Sequence, residues 1–369
     1  MAEPLPGYAA TVEQEELRQS LRKFLAATTP ESIVRELVDT SAGFDRATWI
    51  RLGSEIGAFG LAVPEDMDGA GAGLVEQAIA CEEFGRSLLP GPVFGTVDLA
   101  IPLLCALGGD EVLSALIHGQ STAAVAIPCS GTEFDAQSIR IVESRGRLTG
   151  DIPQVVDGEA DWLVVAANCS EGFGLFLVDG ADRVRLPTLD QTRRQARISF
   201  DGVQTRLLAA GAEAHQAIER ALCVGTALLA AEQLGGAQNL LAMSVDYAGT
   251  RSQFGRRIGS FQAIKHRCAD MLVLVEHARS AAYHAVGSLQ TGTDNPRLVA
   301  SIAKATCSQA FLSIANSAIQ IHGGIGFTWE HPAHLYLKRA VTNAALLGSA
   351  DAHLDRIASL VIDRSNVFA

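Results

Sequence analysis

Three textures of hydrophobic patterning succeed one another along the chain. Up to about residue 118 the apolar positions fall at helical spacing. Leu17, Leu21 and Leu25 recur every fourth residue in EELRQSLRKFL, and GLVEQAIACEEFGRSLL forms a second amphipathic segment closed by Pro90 and Pro92. From about 119 to 210 the period shortens. TAAVAIP, SIRIVES, DWLVVAAN, GLFLVDG and RQARISFDGV are short runs rich in Val, Ile and Phe, separated by Gly and Asp turns. Ala196, Ile198 and Phe200 alternate with Arg197, Ser199 and Asp201, the pattern of an antiparallel sheet with one buried face. From about 211 the helical period returns. Ala214–Tyr247 is rich in Ala and Leu and free of Pro. A second long helix is expected over Pro296–Gln320, with Leu298, Ile302, Ala305, Leu312, Ala315 and Ile319 on one face and Gln309 interrupting it. Helices this long, apolar on more than one side, pack in bundles and often in oligomers.

Composition narrows the class. Of 369 residues 48% are hydrophobic and 19% charged, which excludes a disordered chain. No uninterrupted apolar run reaches ~18 residues, so no membrane span is expected. The start, MAEPLPGYAATVEQEELRQ, lacks the basic and apolar regions of a signal peptide, which points to a cytoplasmic protein. The net charge of -12 argues against nucleic acid. Seven scattered Cys without a CxxC pair read as reduced thiols. His322, His331 and His334 lack carboxylate or Cys partners at ligand spacing, so no metal is expected. The glycines of EDMDGAGAG read as a surface turn, because no Lys-Ser/Thr follows and no βαβ unit surrounds them. Arg193-Arg194 reads as a solvated strand entry.

Two segments break the helical background. Arg251-Ser-Gln-Phe-Gly-Arg-Arg-Ile-Gly-Ser-Phe-Gln262 supplies two glycines that permit a backbone break and three arginines suited to phosphate. Gln320-Ile-His-Gly-Gly-Ile-Gly-Phe-Thr-Trp-Glu-His331 ends a long helix in a glycine cluster. Each alone reads as a helix-ending loop. Together, after an α-β-α layout, they resemble the acyl-CoA dehydrogenase family. The resemblance spans the chain, being strongest at 251–271 and 320–327 and weakest in the β region.

The resemblance implies an α+β, mainly α fold: an N-terminal helical domain (1–118), a middle antiparallel β-barrel (119–210) and a C-terminal four-helix bundle (211–369). It also implies FAD as cofactor and an acyl-CoA thioester as substrate, dehydrogenated between its α and β carbons. A tetramer and an electron acceptor such as an electron-transfer flavoprotein complete the expected partners. In such enzymes a carboxylate takes the α proton while the β hydride passes to the flavin, and a backbone N–H helps polarise the thioester carbonyl. By resemblance Arg251 contacts the FAD diphosphate and Phe254 packs near the cofactor. Gln320, Gly323 and Gly324 line its adenosine end, reaching across a dimer interface to the neighbour's FAD.

The chain departs from the family where its own flavin and base belong. The usual carboxylate position falls on Leu347, within Leu346-Leu347-Gly348-Ser349. Ser349 keeps a hydroxyl there and is counted among the cofactor contacts, and Leu347 retains only a backbone N–H. The alternative carboxylate position falls on Gly225, followed by Thr226. Glu232 lies about 10 Å further along that helix and Glu219 about 9 Å back, which leaves Glu232 as the candidate base, set against a structural ion pair. In the β region only Pro128 and Ser130-Gly131 survive of the flavin-facing turn. Ile152-Pro153-Gln154-Val155-Val156 brings neither the aromatic residue nor the Thr expected beside the ring. Loss on the chain's own flavin side, with Arg251 and Gln320 intact, is the pattern of one subunit in a hetero-oligomer that completes its partner's FAD site. Some α2β2 branches of the family act on steroid-like acyl-CoAs, which connects the chain to steroid degradation within lipid β-oxidation. The alternatives are a self-sufficient dehydrogenase with a relocated carboxylate and a non-catalytic structural homologue.

Overall fold

A computed structural model describes residues 10–365, so the first half of the segment read for a signal peptide lies outside the described residues. In chain order, α1 (Val12–Thr28), α2 (Glu31–Val38), α3 (Arg46–Ser54) and α4 (Leu74–Ser87) come first. They lead to a buried π-helical stretch, Val93–Ala100, which continues into α5 (Ile101–Ala106) and then α6 (Leu113–Ile117). The EDMDGAGAG segment is a short turn around Glu65–Met67, closed by Asp68 in the left-handed region. The described residues form two compact units. One comprises the chain up to Ser32, Ala78–Leu89 and everything from Ala227; the other comprises Ile33–Gln77 and Pro90–Thr226.

The second unit carries the sheet. Its strands are β1 (Ala123–Ala126), β2 (Cys129–Ser130), β3 (Glu133–Phe134), β4 (Val142–Ser144), β5 (Arg147–Val156), β6 (Trp162–Cys169), β7 (Gly172–Val178), β8 (Asp182–Leu186), β9 (Gln195–Gln204) and β10 (Arg206–Ala210). The main sheet runs β10-β7-β6-β4-β5-β9-β8, with β1 also on β6. Two expectations are corrected here. The sheet is mixed, because β1 and β4 pair parallel with β6. Parallel neighbours need a long crossover, and the β4–β5 excursion between β1 and β6 supplies one. The sheet is also open rather than a closed barrel: β8 and β10 stand at its two ends, unpaired with each other among the described residues. Both are short and carry arginines (Arg183, Arg185 and Arg206), a charged edge that discourages further strand pairing. The alternation in β9 holds, since Ala196, Ile198 and Phe200 are buried in the sheet core with Leu148, Leu163 and Val165.

Arg193-Arg194 is not solvated as expected. Arg193 is buried, its guanidinium 5.3 Å from the Phe94 ring, and Arg194 donates to the carbonyls of Val38, Thr40 and Ser41. The three carbonyls of the turn after α2 need donors, and the strand entry provides them. All seven cysteines are free; Cys81, Cys223 and Cys307 are buried, while Cys129 is exposed.

The first unit is helical. After α7 (Gly211–Thr250), which belongs to both units, come a two-stranded hairpin of β11 (Ser252–Gln253) and β12 (Arg256–Arg257), then α8 (Gln262–Thr291), α9 (Pro296–His322), α10 (Ala333–Ala345) and α11 (Ala350–Ser365). A capping box starts α1: Gln14 N–H donates to Thr11 Oγ1 at 3.3 Å, and Thr11 N–H to Gln14 Oε1 at 3.1 Å. Arg18 and Arg22 on α1 reach Glu82 and Glu83 on α4. The Arg18–Glu82 and Arg22–Glu83 pairs are at 2.8 and 2.6 Å, and Tyr283 of α8 donates to Glu82. Burial and the neighbouring Glu82 charge push the Tyr283 phenol far up, so it remains a donor.

Helices α4 and α7 touch backbone to backbone. A Cβ on Gly85 would lie 1.9 Å from the Glu232 carbonyl, and one on Gly235 would lie 1.8 Å from the Glu82 carbonyl. Gly235→Ala is therefore expected to lower stability by about 1–3 kcal/mol in urea denaturation. Gly249→Ala in the same helix, where a Cβ meets nothing within 4 Å, serves as control and should not destabilise. Equal behaviour of the two variants would contradict this packing account.

With its continuation to Phe327, α9 is long and apolar enough to cross a membrane, contrary to the reading from uninterrupted runs, but 67% of its most apolar window is buried inside the protein. It carries Lys304, which is 0% exposed.

Candidate functional site

The Arg251 segment follows α7 directly. The Arg251 N–H donates to the Tyr247 carbonyl at 2.8 Å, and the Arg251 carbonyl accepts from Ile258 N–H at 2.9 Å, which closes the hairpin base. Ser252 pairs with Arg257 and Gln253 with Arg256, leaving a two-residue turn of Phe254 (φ 53°) and Gly255 (φ 77°). Positive φ at both positions suits a hairpin turn. Phe254 is the unusual member, since a bulky side chain resists the left-handed region. It is also 90% exposed at the tip. Below it, Phe261 meets Phe254 edge-on and carries the Arg256 guanidinium 4.0 Å from its centroid. Gly259 is required because a Cβ there would lie 2.8 Å from the Ala248 carbonyl. The Arg251 side chain is exposed and pairs with no carboxylate among the described residues.

The glycine loop follows α9 and packs through His322 against Tyr247 near the end of α7. Gly323, at φ 62°, ends α9, and a single 3-10 stretch, Gly323–Phe327, follows. Gln320, Gly323 and Gly324 are exposed, and a Cβ on either glycine would meet nothing within 4 Å. His322 is buried, with Nδ1 2.7 Å from the Ala318 carbonyl, and burial lowers its pKa. Its ring lies 4.1 Å from His331 and 4.6 Å from Tyr247, centroid to centroid. The Tyr247 backbone carbonyl accepts the Arg251 N–H in the last turn of α7, while its ring packs the end of α7 against the start of the glycine loop. No group of three or more His, Cys, Asp or Glu side chains placed to hold a metal occurs among the described residues. Trp329 is 57% exposed, with Lys338 Nζ 4.6 Å above its ring, and it meets His334 edge-on.

None of the three carboxylate positions offers an accessible base. Leu347 (φ 55°) sits in the loop between α10 and α11. At Gly225 a Cβ would lie 2.6 Å from the Asp98 carbonyl and 2.7 Å from Leu99 Cδ2, so no longer side chain fits. Glu232 is 1% exposed and accepts from Arg339 Nη1 at 2.7 Å and Asn343 Nδ2 at 3.0 Å. Of the two readings weighed for Glu232, base or structural ion pair, its surroundings are those of the ion pair. Ser349 has a local partner: its Oγ accepts from Ala352 N–H at 3.2 Å, an N-cap for α11.

On the sheet, Gln154 is exposed and hydrogen-bonds Gln195, while Val155 points into the core. A small recess near the β5–β6 turn is lined by Arg46, Asp161, Glu159 and Arg194 among others. Its charges pair internally, Arg46 with Asp161 at 2.8 Å and Arg185 with Glu159 at 2.8 Å, so it is not the expected site.

Residues 11–119 match the acyl-CoA dehydrogenase N-terminal domain and 192–362 the acyl-CoA dehydrogenase C-terminal domain. Acyl-CoA dehydrogenase IpdE2 of Mycobacterium tuberculosis is 34% identical over 350 residues, 95% of this chain and 97% of that protein. Among solved structures, a variant of the Tcur3481-Tcur3483 steroid ACAD matches at 28% identity and a TM-score of 0.83, covering 96% of this chain and 99% of that one. The ChsE4-ChsE5 complex from Mycobacterium tuberculosis matches at 27% identity, also with a TM-score of 0.83, covering 96% and 98%. The chain belongs to the acyl-CoA dehydrogenase family, FAD-dependent oxidoreductases acting on CH–CH bonds.

Proposed function

We propose that this chain is one subunit of a hetero-oligomeric acyl-CoA dehydrogenase and completes the FAD site of a homologous, catalytically complete partner. The observation that carries this reading is an asymmetry. Arg251, Phe254, Gln320, Gly323 and Gly324 are all present and exposed, while Leu347, Gly225 and Glu232 provide no free carboxylate. The chain reads as an N-terminal helical domain (1–118), a middle sheet domain (119–210) and a C-terminal helical domain (211–369).

The donor set fits FAD from the neighbour's side. Arg251 offers a guanidinium fork for the diphosphate, with no carboxylate competing for it among the described residues. Gly323 and Gly324 leave open space for an adenosine to approach the backbone. The exposed Phe254 supplies an apolar face. Bound FAD supplies the hydride acceptor. Leu347 contributes a backbone N–H near a thioester carbonyl, and Ser349 a hydroxyl at the rim of the same loop. The two-component steroid enzyme among the structural relatives supports the hetero-oligomeric reading and suggests a bulky acyl-CoA substrate. Electrons then leave to an electron-transfer flavoprotein.

Co-expression with a homologous sister chain tests the reading. The expected product is a mixed tetramer with about one FAD per two chains, and this chain purified alone should carry none. A fully flavinylated, active homotetramer of this chain alone would overturn it.

A further inference from the structure

We propose that Lys304 and His353 are positioning residues that hold the Leu347–Gly348 backbone in its left-handed conformation. What this loop does for substrate rests on the reading above; the clamp itself does not.

Lys304 on α9 is 0% exposed, and its Nζ has three acceptors: Ser308 Oγ at 3.0 Å, the Gly348 carbonyl at 3.1 Å and the Ala344 carbonyl at 3.4 Å. An ammonium has three N–H bonds, so the set is complete. Among the described residues no carboxylate pairs with it. The compensating negative charge is the carbonyl end of α10. His353 on α11, 2% exposed, places Nε2 2.9 Å from the Leu347 carbonyl. Burial, then the Lys304 charge, pushes this imidazole down to about 4, so at neutral pH it is uncharged and donates from Nε2.

Two buried side chains from two helices therefore gather the carbonyls of residues 344, 347 and 348. Between them Leu347 stands at φ 55° and Gly348 at φ 100°. A helix-ending loop ordinarily puts glycine at the left-handed position and satisfies the last carbonyls with following backbone N–H groups or water. Here a leucine takes that position, and a cation is buried to hold it there. Strain kept in place by surrounding structure is characteristic of backbone that must present its groups in one orientation. Burial also pushes the Lys304 ammonium down to about 8, so the charge is carried at a cost to the fold.

That cost separates positioning from ordinary core packing. In the full-length chain assembled with its partner, Lys304→Met removes the desolvated charge but leaves two carbonyls without their donor, so it should melt close to the parent. Amide hydrogen exchange in Leu346–Ser349 should nevertheless accelerate by about tenfold or more. His353→Phe should accelerate the same segment. Parent-like exchange in both variants overturns the proposal. So does acceleration spread evenly over α9, α10 and α11 with a fall in melting temperature, because Lys304 is then a plain core residue. Flavin stoichiometry on the same samples reports separately on the proposed function: a failure there leaves the exchange result standing.

Discussion

Arg339→Met should unfold at much lower denaturant than the parent, losing about 3–5 kcal/mol, because it removes a buried cation that stands 2.7 Å from the buried Glu232 carboxylate. Both side chains are almost fully enclosed, at 3% and 1% exposure, so water cannot replace the lost partner. Asn343 would still donate to Glu232, but a neutral hydrogen bond does not replace a lost cation beside a desolvated charge. The double variant Glu232→Leu with Arg339→Met removes both charges and should recover most of the loss. Urea denaturation of the four proteins closes the cycle. A single Arg339→Met variant as stable as the parent would contradict the buried-pair account. Glu232→Gln adds a functional arm: α-proton exchange by the assembled enzyme should continue unchanged, whereas its loss would restore Glu232 as the base.

Arg251→Ala should have the opposite profile, with little effect on folding and a large one on flavin. The guanidinium is exposed and pairs with no carboxylate among the described residues, so its removal should shift unfolding by less than ~0.5 kcal/mol. In the mixed assembly it is expected to weaken FAD by roughly a hundredfold, since charge-assisted bonds to a diphosphate contribute about 3 kcal/mol together. Titrating FAD into the deflavinated assembly, followed by flavin fluorescence, measures this directly. Unchanged FAD affinity would remove Arg251 from the site and take with it the main support for cross-subunit completion.

Local rules carried much of the fold. Leu21 and Leu25 are buried where the four-residue spacing put them, and the β9 alternation separates core from solvent. The hairpin and glycine loop were visible because glycine and arginine interrupt apolar helix. Long-range pairing was hidden from those rules. The Arg22–Glu83 pair joins residues 61 apart, and the Glu232–Arg339 pair joins residues 107 apart. Nothing in either local pattern names the other partner. The sheet misled for the same reason: alternation reports which face is buried but not whether a neighbour runs parallel or whether the edges meet. Lys304 is hidden because a lysine in a helix rich in alanine and isoleucine resembles a surface residue until the helix is seen to be enclosed. The packing of Tyr247 against the glycine loop needed the fold, since that residue stands outside both motifs.

Lys304 has a consequence before the protein folds at all. As a nascent segment, Pro296–Phe327 has the length and hydropathy of a membrane span. Lys304 stands in the N-terminal third of that segment, where a lysine costs less than its cost of about 2.5–3.5 kcal/mol at a helix centre but still opposes insertion. The ammonium that organises a loop in the finished protein thus also biases the newborn helix away from lipid.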